Sequence, residues 1–241
     1  MFRGIALRTL EKEELCRLTA EFARAGVVRI REFLPEELAS RLHHNLHNRG
    51  DWLKLINDDE GIFEFDRLAQ RGWSADQRLA LENRIYSNAR TGFQFRFESI
   101  RVPDSPDDRA RSTDLLARIA EQLSSPRALE YFRAITGSAE IAFADLQATA
   151  YAPGDFLTGH DDEILGKNRI AAYTLGMTPQ WRLEWGGLLV MHDCEQMARA
   201  FGPGMNILTI FKVPAMHSVS EVTQAAAHRR YMLTGWLRAG G

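Results

Sequence analysis

The sequence predicts an α+β fold with a mainly β core in its C-terminal half. Before residue 138, apolar residues recur in several segments at the three- and four-residue spacings of helices. From Ile141 onward the chain changes to strand-like runs and tight turns, as in sheets closed around a site. We therefore predict one domain, with a helical and strand-containing support region over residues 1–138 and the core over residues 139–241.

Bulk composition is consistent with one globular unit. A chain of 241 residues with 45% hydrophobic composition can bury a substantial core. Its formal net charge of -2 gives no basic field for nucleic acid or an anionic membrane. Two cysteines do not make a disulfide framework, which predicts a reducing, cytoplasmic setting. The run from Met1 to Arg8 is too short for a signal peptide, and no apolar run is long enough to span a bilayer.

The first elements are predicted from caps and spacing. A helix capped by Thr9 is expected to stop at Gly26, an alternating strand follows, and Pro35 opens a second helix. That helix carries His43 and His47 one turn apart, at a spacing that can chelate a metal. No carboxylate lies in register with them, so a solvated polar face is the favoured interpretation.

The next segments are less regular up to about residue 75, where we expect only short strands and loops. The alternating Phe-rich run after residue 92 predicts a half-buried strand with its Phe side toward the core. The remaining predictions are a helix from Ala75 to about Arg90, that strand over Phe93–Val102, a polar loop over Pro103–Arg109, a helix capped by Ser112 and a helix from Pro126 to Gly137.

Three residues in the C-terminal half could form a metal face. His160 and Asp162 make a His-x-Asp pair, and His217 lies further on in a segment that again has the character of a strand end. Imidazole nitrogens and a carboxylate oxygen suit ferrous iron, and three protein ligands on one face leave positions open for a co-substrate and dioxygen. Among seven histidines such a pair is weak evidence alone.

Further motifs surround these residues in a consistent order. They are Tyr151, Gly154, Asp155, His160, Asp162, Gly186, Gly187, Leu188, Phe211, His217, Val219, Arg230 and Trp236. This series resembles the 2-oxoglutarate- and Fe(II)-dependent oxygenases and, within them, the prolyl 4-hydroxylase group. The resemblance implies a double-stranded β-helix, or jelly roll, with flanking N-terminal helices. It also implies that the Phe-rich strand frames the substrate, an alternative to a purely structural role.

The resemblance implies a role for individual residues. His160, Asp162 and His217 would bind Fe(2+), and Arg230 would hold the distal carboxylate of 2-oxoglutarate, for which a guanidinium fork is a natural partner. Arg229 would point to the opposite face of the strand and be a surface residue.

One departure from the family's pattern concerns the co-substrate. Many relatives carry a tyrosine where this chain has Gly176, and Tyr173, three residues earlier, falls on the other face of the strand. The missing donor must then come from elsewhere, and Tyr151, Thr209 and Thr234 are the candidates.

Other polar residues near the motifs have simpler explanations. Asp161 points away from the face shared by its two neighbours in an extended segment. The pair His192 and Asp193 could imitate a second metal site, but a surface turn is favoured, and Glu221 is expected to anchor a turn.

What the resemblance implies for function is hydroxylation of a C–H bond on a prolyl or other amino-acid side chain. Succinate and CO2 would be co-products, O2 a second co-substrate and ascorbate an optional auxiliary. Asp162 favours hydroxylation, since related halogenases lack this carboxylate, and Trp236 stands where nucleic-acid demethylases carry a second arginine. The alternatives are a hydroxylase of a small metabolite and a non-catalytic metal-binding sensor of the same fold. Peptide or small-molecule partners are expected, without nucleic acid or membrane, and the oligomeric state is left open.

Overall fold

A computed structural model describes residues 7–240 of the chain. The sequence prediction about a signal peptide falls mainly on residues 1–6, which lie outside the described residues. None of the helices in the described part combines the length and the apolar character that a membrane crossing requires.

A curled antiparallel sheet forms the core, and it confirms the predicted α+β double-stranded β-helix with flanking helices. Among the described strands the order is β1-β11-β8-β13-β6-β4-β7-β12-β9-β10, with β2, β3 and β5 beside this path. The strands are β1 Val27–Arg31, β2 Leu53–Asp58, β3 Gly61–Asp66, β4 Phe95–Arg101, β5 Ile141–Ala144, β6 Gln147–Tyr151, β7 Phe156–His160, β8 Arg169–Met177, β9 Leu189–Cys194, β10 Met197–Phe201, β11 Met205–Lys212, β12 His217–Val219 and β13 Arg230–Ala239.

The helices come mainly from the N-terminal half, and four of them bury their apolar faces against one side of the sheet. Strands of that half also enter the sheet, since β1 pairs with β11 and β4 lies between β6 and β7. The helices are α1 Lys12–Ala25, α2 Glu36–Asn48, α3 Arg67–Arg71, α4 Ala75–Ala89, α5 Pro106–Arg111, α6 Leu115–Leu123 and α7 Pro126–Thr136, and a short 3-10 helix spans Leu183–Trp185.

Helix ends follow the sequence signals at some positions and depart from them at others. Gly26 and Gly137 end α1 and α7 with left-handed backbones, as predicted. Thr9 does not cap α1: Glu11 stands at the N-cap, and the Thr9 hydroxyl bonds to Arg127 instead. The hydroxyl that the local sequence predicts as the cap of α1 therefore accepts a hydrogen bond from a side chain of α7.

The segment predicted as a polar loop contains α5. The hydroxyl of Ser105 accepts from the N–H of Asp108, and Pro106 supplies a first helical residue that needs no amide donor. The predicted cap Ser112 is also wrong for the next helix, because Asp114 accepts from the N–H of Leu116 at 2.9 Å. Both errors arise where several capping residues stand close together.

Strand β4 is buried on both faces, although a half-buried strand was predicted. Phe95 and Phe97 form one apolar face. The other face holds Glu98, whose two carboxylate oxygens accept hydrogen bonds from Arg67 at 3.0 and 2.9 Å. Arg229 lies 3.1 Å from the same carboxylate, so it is a half-buried ion-pair partner rather than the predicted surface residue. These charges can be buried because each has a partner.

Replacing Glu98 with alanine should lower the free energy of unfolding by about 2–3 kcal/mol. Breaking a fully buried ion pair costs about 3–5 kcal/mol. The loss expected here is smaller because both arginines reach solvent. Urea unfolding measures the change, and Glu64→Ala on the exposed face of β3 is the matched control. A loss no larger than that of the control would contradict this account of β4.

The contribution of Glu98 to the free energy of unfolding should disappear at acid pH. Burial opposes ionisation of Glu98, but hydrogen bonds from Arg67 and the charge of Arg229 hold the pKa of its carboxyl below the ordinary value. A lowered folded-state pKa stabilises the protein above the unfolded pKa, and this is lost as pH falls through the folded one. Wild type and Glu98→Ala should therefore converge in stability in acid.

The histidines of α2 do not form a uniformly solvated face. His44 and His47 are exposed, whereas His43 is half-buried. The Nδ1–H of His43 donates to the carbonyl oxygen of Met177 in β8 at 2.9 Å. His43 thus connects the helix to the sheet, a role that its spacing from His47 did not indicate.

Candidate metal and co-substrate site

The two predicted histidine ligands lie opposite each other in the sheet. His160 is the last residue of β7, His217 is the first of β12, and the two residues are partners in the antiparallel register. Their ring centroids are 4.1 Å apart. Strand pairing thus brings together two residues that are far apart in the sequence.

Asp162 completes the group from the turn that follows β7. Its left-handed backbone, with φ of 67°, turns the carboxylate back toward the imidazoles. One carboxylate oxygen lies 3.5 Å from His160 Nε2, and the other lies 3.5 Å from His217 Nε2. One ligand atom from each residue falls within 4.8 Å of the other two, the only such group of three among residues 7–240.

Hydrogen bonds to backbone carbonyls fix which ring nitrogen faces the cavity. Nδ1 of His160 lies 3.0 Å from the Thr158 carbonyl, and Nδ1 of His217 lies 2.8 Å from that of Ala215. A carbonyl only accepts, so each Nδ1 carries the proton. Each Nε2 then presents a lone pair toward Asp162, as a metal-binding imidazole does.

The protonation states near neutral pH also suit a cation. Burial lowers the pKa of His217, which favours the neutral imidazole. Burial would raise the pKa of Asp162, but favourable interactions with the imidazole groups of His160 and His217 hold it below its ordinary value. The neutral imidazole of His217 and the carboxylate of Asp162 are the forms that coordinate a metal.

Arg169 supports the turn that carries Asp162, and sequence reasoning missed it. Its Nη1 donates to the Asp162 carbonyl at 2.9 Å, and its guanidinium lies 3.5 Å from the centroid of the Trp236 ring. Arg169 thus joins the start of β8 to the last strand. No local motif marks this arginine, because its importance depends on a contact with a distant strand.

A cavity of about 430 Å³ opens in front of these residues. Its walls are mainly apolar, and the predicted residues Tyr151, Arg230 and Thr234 line it together with the three candidate ligands. Phe93, Phe95 and Phe97 line it as well, so the Phe-rich strand frames the cavity.

Arg230 is a buried cation without an anionic partner. Its side chain is only 2% exposed, its guanidinium lies 5.0 Å from the Tyr151 ring centroid, and no carboxylate of the described residues pairs with it. Burial lowers its pKa to about 10, so the group remains charged at neutral pH. An unpaired buried charge is costly, and a bound carboxylate would offset that cost.

Three buried polar atoms in this part of the cavity have no hydrogen-bond partner among residues 7–240. They are Arg230 Nε, Thr234 Oγ1 and Thr149 Oγ1. Thr149 stands two residues before Tyr151 on β6 and therefore on the same face of the strand. The sequence motifs did not indicate Thr149 as a site residue, although its spacing from Tyr151 could have done so. A dicarboxylate such as 2-oxoglutarate fits this set of donors.

The structure explains why no tyrosine stands at position 176. A Cβ on Gly176 would overlap the carbonyl oxygen of Gly204, so a tyrosine has no room there. Tyr173 lies on the opposite face, as predicted, and its hydroxyl donates to the Asp145 carbonyl at 2.6 Å. Thr209 lines a small cavity beside Arg230 rather than the main one.

The other candidates take no part in the group of three candidate ligands. Asp161 accepts the N–H of Glu163 at 3.1 Å. His192 and Asp193 belong to β9, not to the predicted turn, and they bond to Ser218 and Arg199 respectively. Glu221 accepts a hydrogen bond from the Tyr86 hydroxyl at 2.9 Å. None of these carboxylates joins the group formed by the His-x-Asp pair.

Comparisons with known sequences agree with this geometry. Residues 146–238 match the 2OG-Fe(II) oxygenase superfamily. The mouse prolyl 3-hydroxylase OGFOD1 is 31% identical over 140 residues, which make up 52% of this chain. The matched region spans only 25% of the length of that relative.

Solved structures share the fold. A Pseudomonas putida prolyl 4-hydroxylase superposes with a TM-score of 0.58 at 18% identity, covering 94% of this chain and 100% of that one. A Trichoplax adhaerens prolyl hydroxylase, solved with a hypoxia inducible factor peptide fragment, gives 0.57 at 14% identity, covering 96% and 94%. The region of residues 146–238 thus carries the sequence pattern of the 2OG-Fe(II) oxygenase superfamily, and the chain as a whole has its prolyl 4-hydroxylase-like fold.

Proposed function

We propose that the chain is an Fe(II)- and 2-oxoglutarate-dependent hydroxylase that acts on a prolyl side chain of a peptide or protein. One observation carries the proposal. The Nε2 atoms of His160 and His217 and the Asp162 carboxylate converge in the cavity that also contains the unpaired Arg230 guanidinium. A cation site and an anion site in one cavity fit iron together with a dicarboxylate.

Iron, 2-oxoglutarate and O2 together supply the oxidation of a C–H bond, with succinate and CO2 as co-products. The protein's residues hold the reactants in place. His160, Asp162 and His217 would hold the metal and leave coordination positions open for the co-substrate and O2. Arg230 would bind the far carboxylate of the co-substrate, assisted by Thr149 and Thr234, and the apolar walls would limit access of water.

Prolyl side chains are favoured over other substrates with an oxidisable C–H bond for two reasons. The relatives reported above include prolyl hydroxylases, one of them solved with a peptide fragment. In addition, the cavity mouth carries exposed apolar side chains, with Ile62 54%, Phe93 49% and Ile164 51% exposed. An apolar rim of this kind suits a pyrrolidine ring presented on a chain.

The direct test is incubation with Fe(2+), 2-oxoglutarate and air, with proline-containing peptides in one series and a panel of small metabolites in another. Succinate and the mass of one added oxygen atom are measured, with and without ascorbate. Hydroxylated proline in a peptide supports the proposal. Turnover stimulated only by a metabolite would favour the small-molecule hydroxylase, and iron binding without succinate would favour the sensor.

Thr149→Val should raise the KM for 2-oxoglutarate about three- to tenfold, the usual worth of one hydrogen bond. Folding stability should not fall, because Thr149 Oγ1 has no hydrogen-bond partner in the described part of the chain. Thr178→Val is the matched control: Thr178 Oγ1 bonds to the backbone of Tyr231, so this variant should lose stability but keep its KM. An unchanged KM in Thr149→Val would remove Thr149 from the site.

A further inference from the structure

A second cavity of about 290 Å³ adjoins the main one. The two are parts of one continuous depression, because they share wall residues. A ligand in the main cavity could therefore extend into the second without crossing the protein. The shared residues are Ile62, Phe95, Phe97, Gln147, Arg169 and Trp236.

The second cavity has an excess of positive charge. Arg238 Nη1 lies 3.1 Å from the Asp104 carboxylate and 3.6 Å from that of Asp145, so these charges largely offset one another. Arg101 and Lys167 are exposed, and neither has an acidic partner among residues 7–240. We refer to the wall formed by Arg101, Lys167 and Arg238 as the basic groove.

We propose that the basic groove binds an acidic side chain of the peptide substrate, near the residue that enters the main cavity. The inference rests on the proposed function and specifies its substrate class. Trp236 lines both cavities, whereas Arg101 and Lys167 line only the second, so an extended peptide that continues from the main cavity past Trp236 would enter the part that holds these two side chains. Its carboxylate would supply the partner that these two side chains lack.

The groove suits a carboxylate better than a nucleic-acid backbone. A nucleic acid needs a row of cations along its phosphates. Here two unpaired cations stand beside the carboxylates of Asp104 and Asp145, on a chain whose formal net charge is -2. Two cations can bind one or two acidic side chains. The continuous row of phosphates of a nucleic acid would also lie against the two carboxylates, which would repel it.

The test uses three fluorescein-labelled peptides with one central proline and glutamate, glutamine or lysine at the flanking positions. Binding to the wild-type protein is measured anaerobically by anisotropy, with Fe(2+) and 2-oxoglutarate present. The glutamate peptide should bind about tenfold more tightly than the glutamine peptide, since exposed ion pairs are each worth a few-fold in affinity. The lysine peptide should bind most weakly.

The double variant Arg101→Glu with Lys167→Glu should lose this preference. The exposed Lys12, at the start of α1, lines neither cavity, so Lys12→Glu is the matched control and should keep the preference. High salt should weaken the preference of the wild type, because exposed charges are screened.

Several results would overturn the inference. They are equal affinity for the glutamate and glutamine peptides, no measurable binding of any peptide, and a preference that persists in the double variant. A single-stranded oligonucleotide that binds through Arg101 and Lys167, while the glutamate peptide does not bind, would assign the groove to nucleic acid instead.

The outcomes separate this inference from the hydroxylase proposal. Tight binding of the glutamate peptide without succinate or hydroxyproline would leave the basic groove supported and the proposed reaction wrong. Equal hydroxylation of the glutamate and glutamine peptides would support the reaction and remove the role of the groove.

Discussion

The variant His217→Ala should retain no stoichiometric iron and show no turnover of 2-oxoglutarate, while remaining folded. His217 supplies one of three converging ligand atoms, so its loss leaves only His160 and Asp162. Losing a residue that merely supports a ligand costs 10–100-fold in metal affinity as a rule of thumb, and removing a ligand should cost at least roughly that. Iron content after desalting and far-UV circular dichroism measure the two results.

His192→Ala is the matched control for this experiment. His192 is an exposed histidine on β9, next to β12. It forms a hydrogen bond with Ser218 and is not one of the three candidate metal ligands. It should keep both iron and activity. Full iron content in His217→Ala would show that the ligand assignment is wrong.

Arg230→Ala should raise the KM for 2-oxoglutarate by about 10–100-fold, because it removes a charge-assisted pair with the far carboxylate. Iron binding should persist, since Arg230 is not among the converging ligands. In the absence of co-substrate the variant should be no less stable than the wild type. The guanidinium is buried without an anionic partner among the residues that the structure describes, and its removal ends that desolvation cost.

A thermal melt provides a second measurement of the same effect. A ligand that binds only the folded state raises its stability, so 2-oxoglutarate should stabilise wild type and fail to stabilise Arg230→Ala at the same concentration. Arg229→Ala is the matched neighbour: it should lower stability through Glu98 and leave the co-substrate KM unchanged. If the KM changed in Arg229→Ala and not in Arg230→Ala, the carboxylate would belong to Arg229.

The fold features predicted correctly depend on short-range pattern, as with the glycine ends of α1 and α7. The residues gathered around the cavity follow from the order of the family's motifs, and their roles stay predictions. The His-x-Asp pair lies within three residues, and the family order located its distant partner His217. Strand register then places His217 opposite His160.

The features that were missed depend on contacts between distant elements. The polar face of β4 is buried because Arg67 and Arg229 reach Glu98 from other parts of the chain. Arg169 matters because it lies on Trp236, and nothing in its own segment indicates that contact. The predicted helix cap Thr9 was wrong because its hydroxyl accepts a hydrogen bond from Arg127, which is distant in the sequence.

The most direct measurement of the central claim is a visible spectrum recorded anaerobically after adding Fe(2+) and then 2-oxoglutarate. We expect a weak metal-to-ligand charge-transfer band in wild type, which bleaches as succinate forms when air is admitted. We expect no band in His217→Ala and a much higher 2-oxoglutarate requirement for the band in Arg230→Ala. A folded, iron-loaded wild-type protein that shows no band at saturating 2-oxoglutarate would contradict the account.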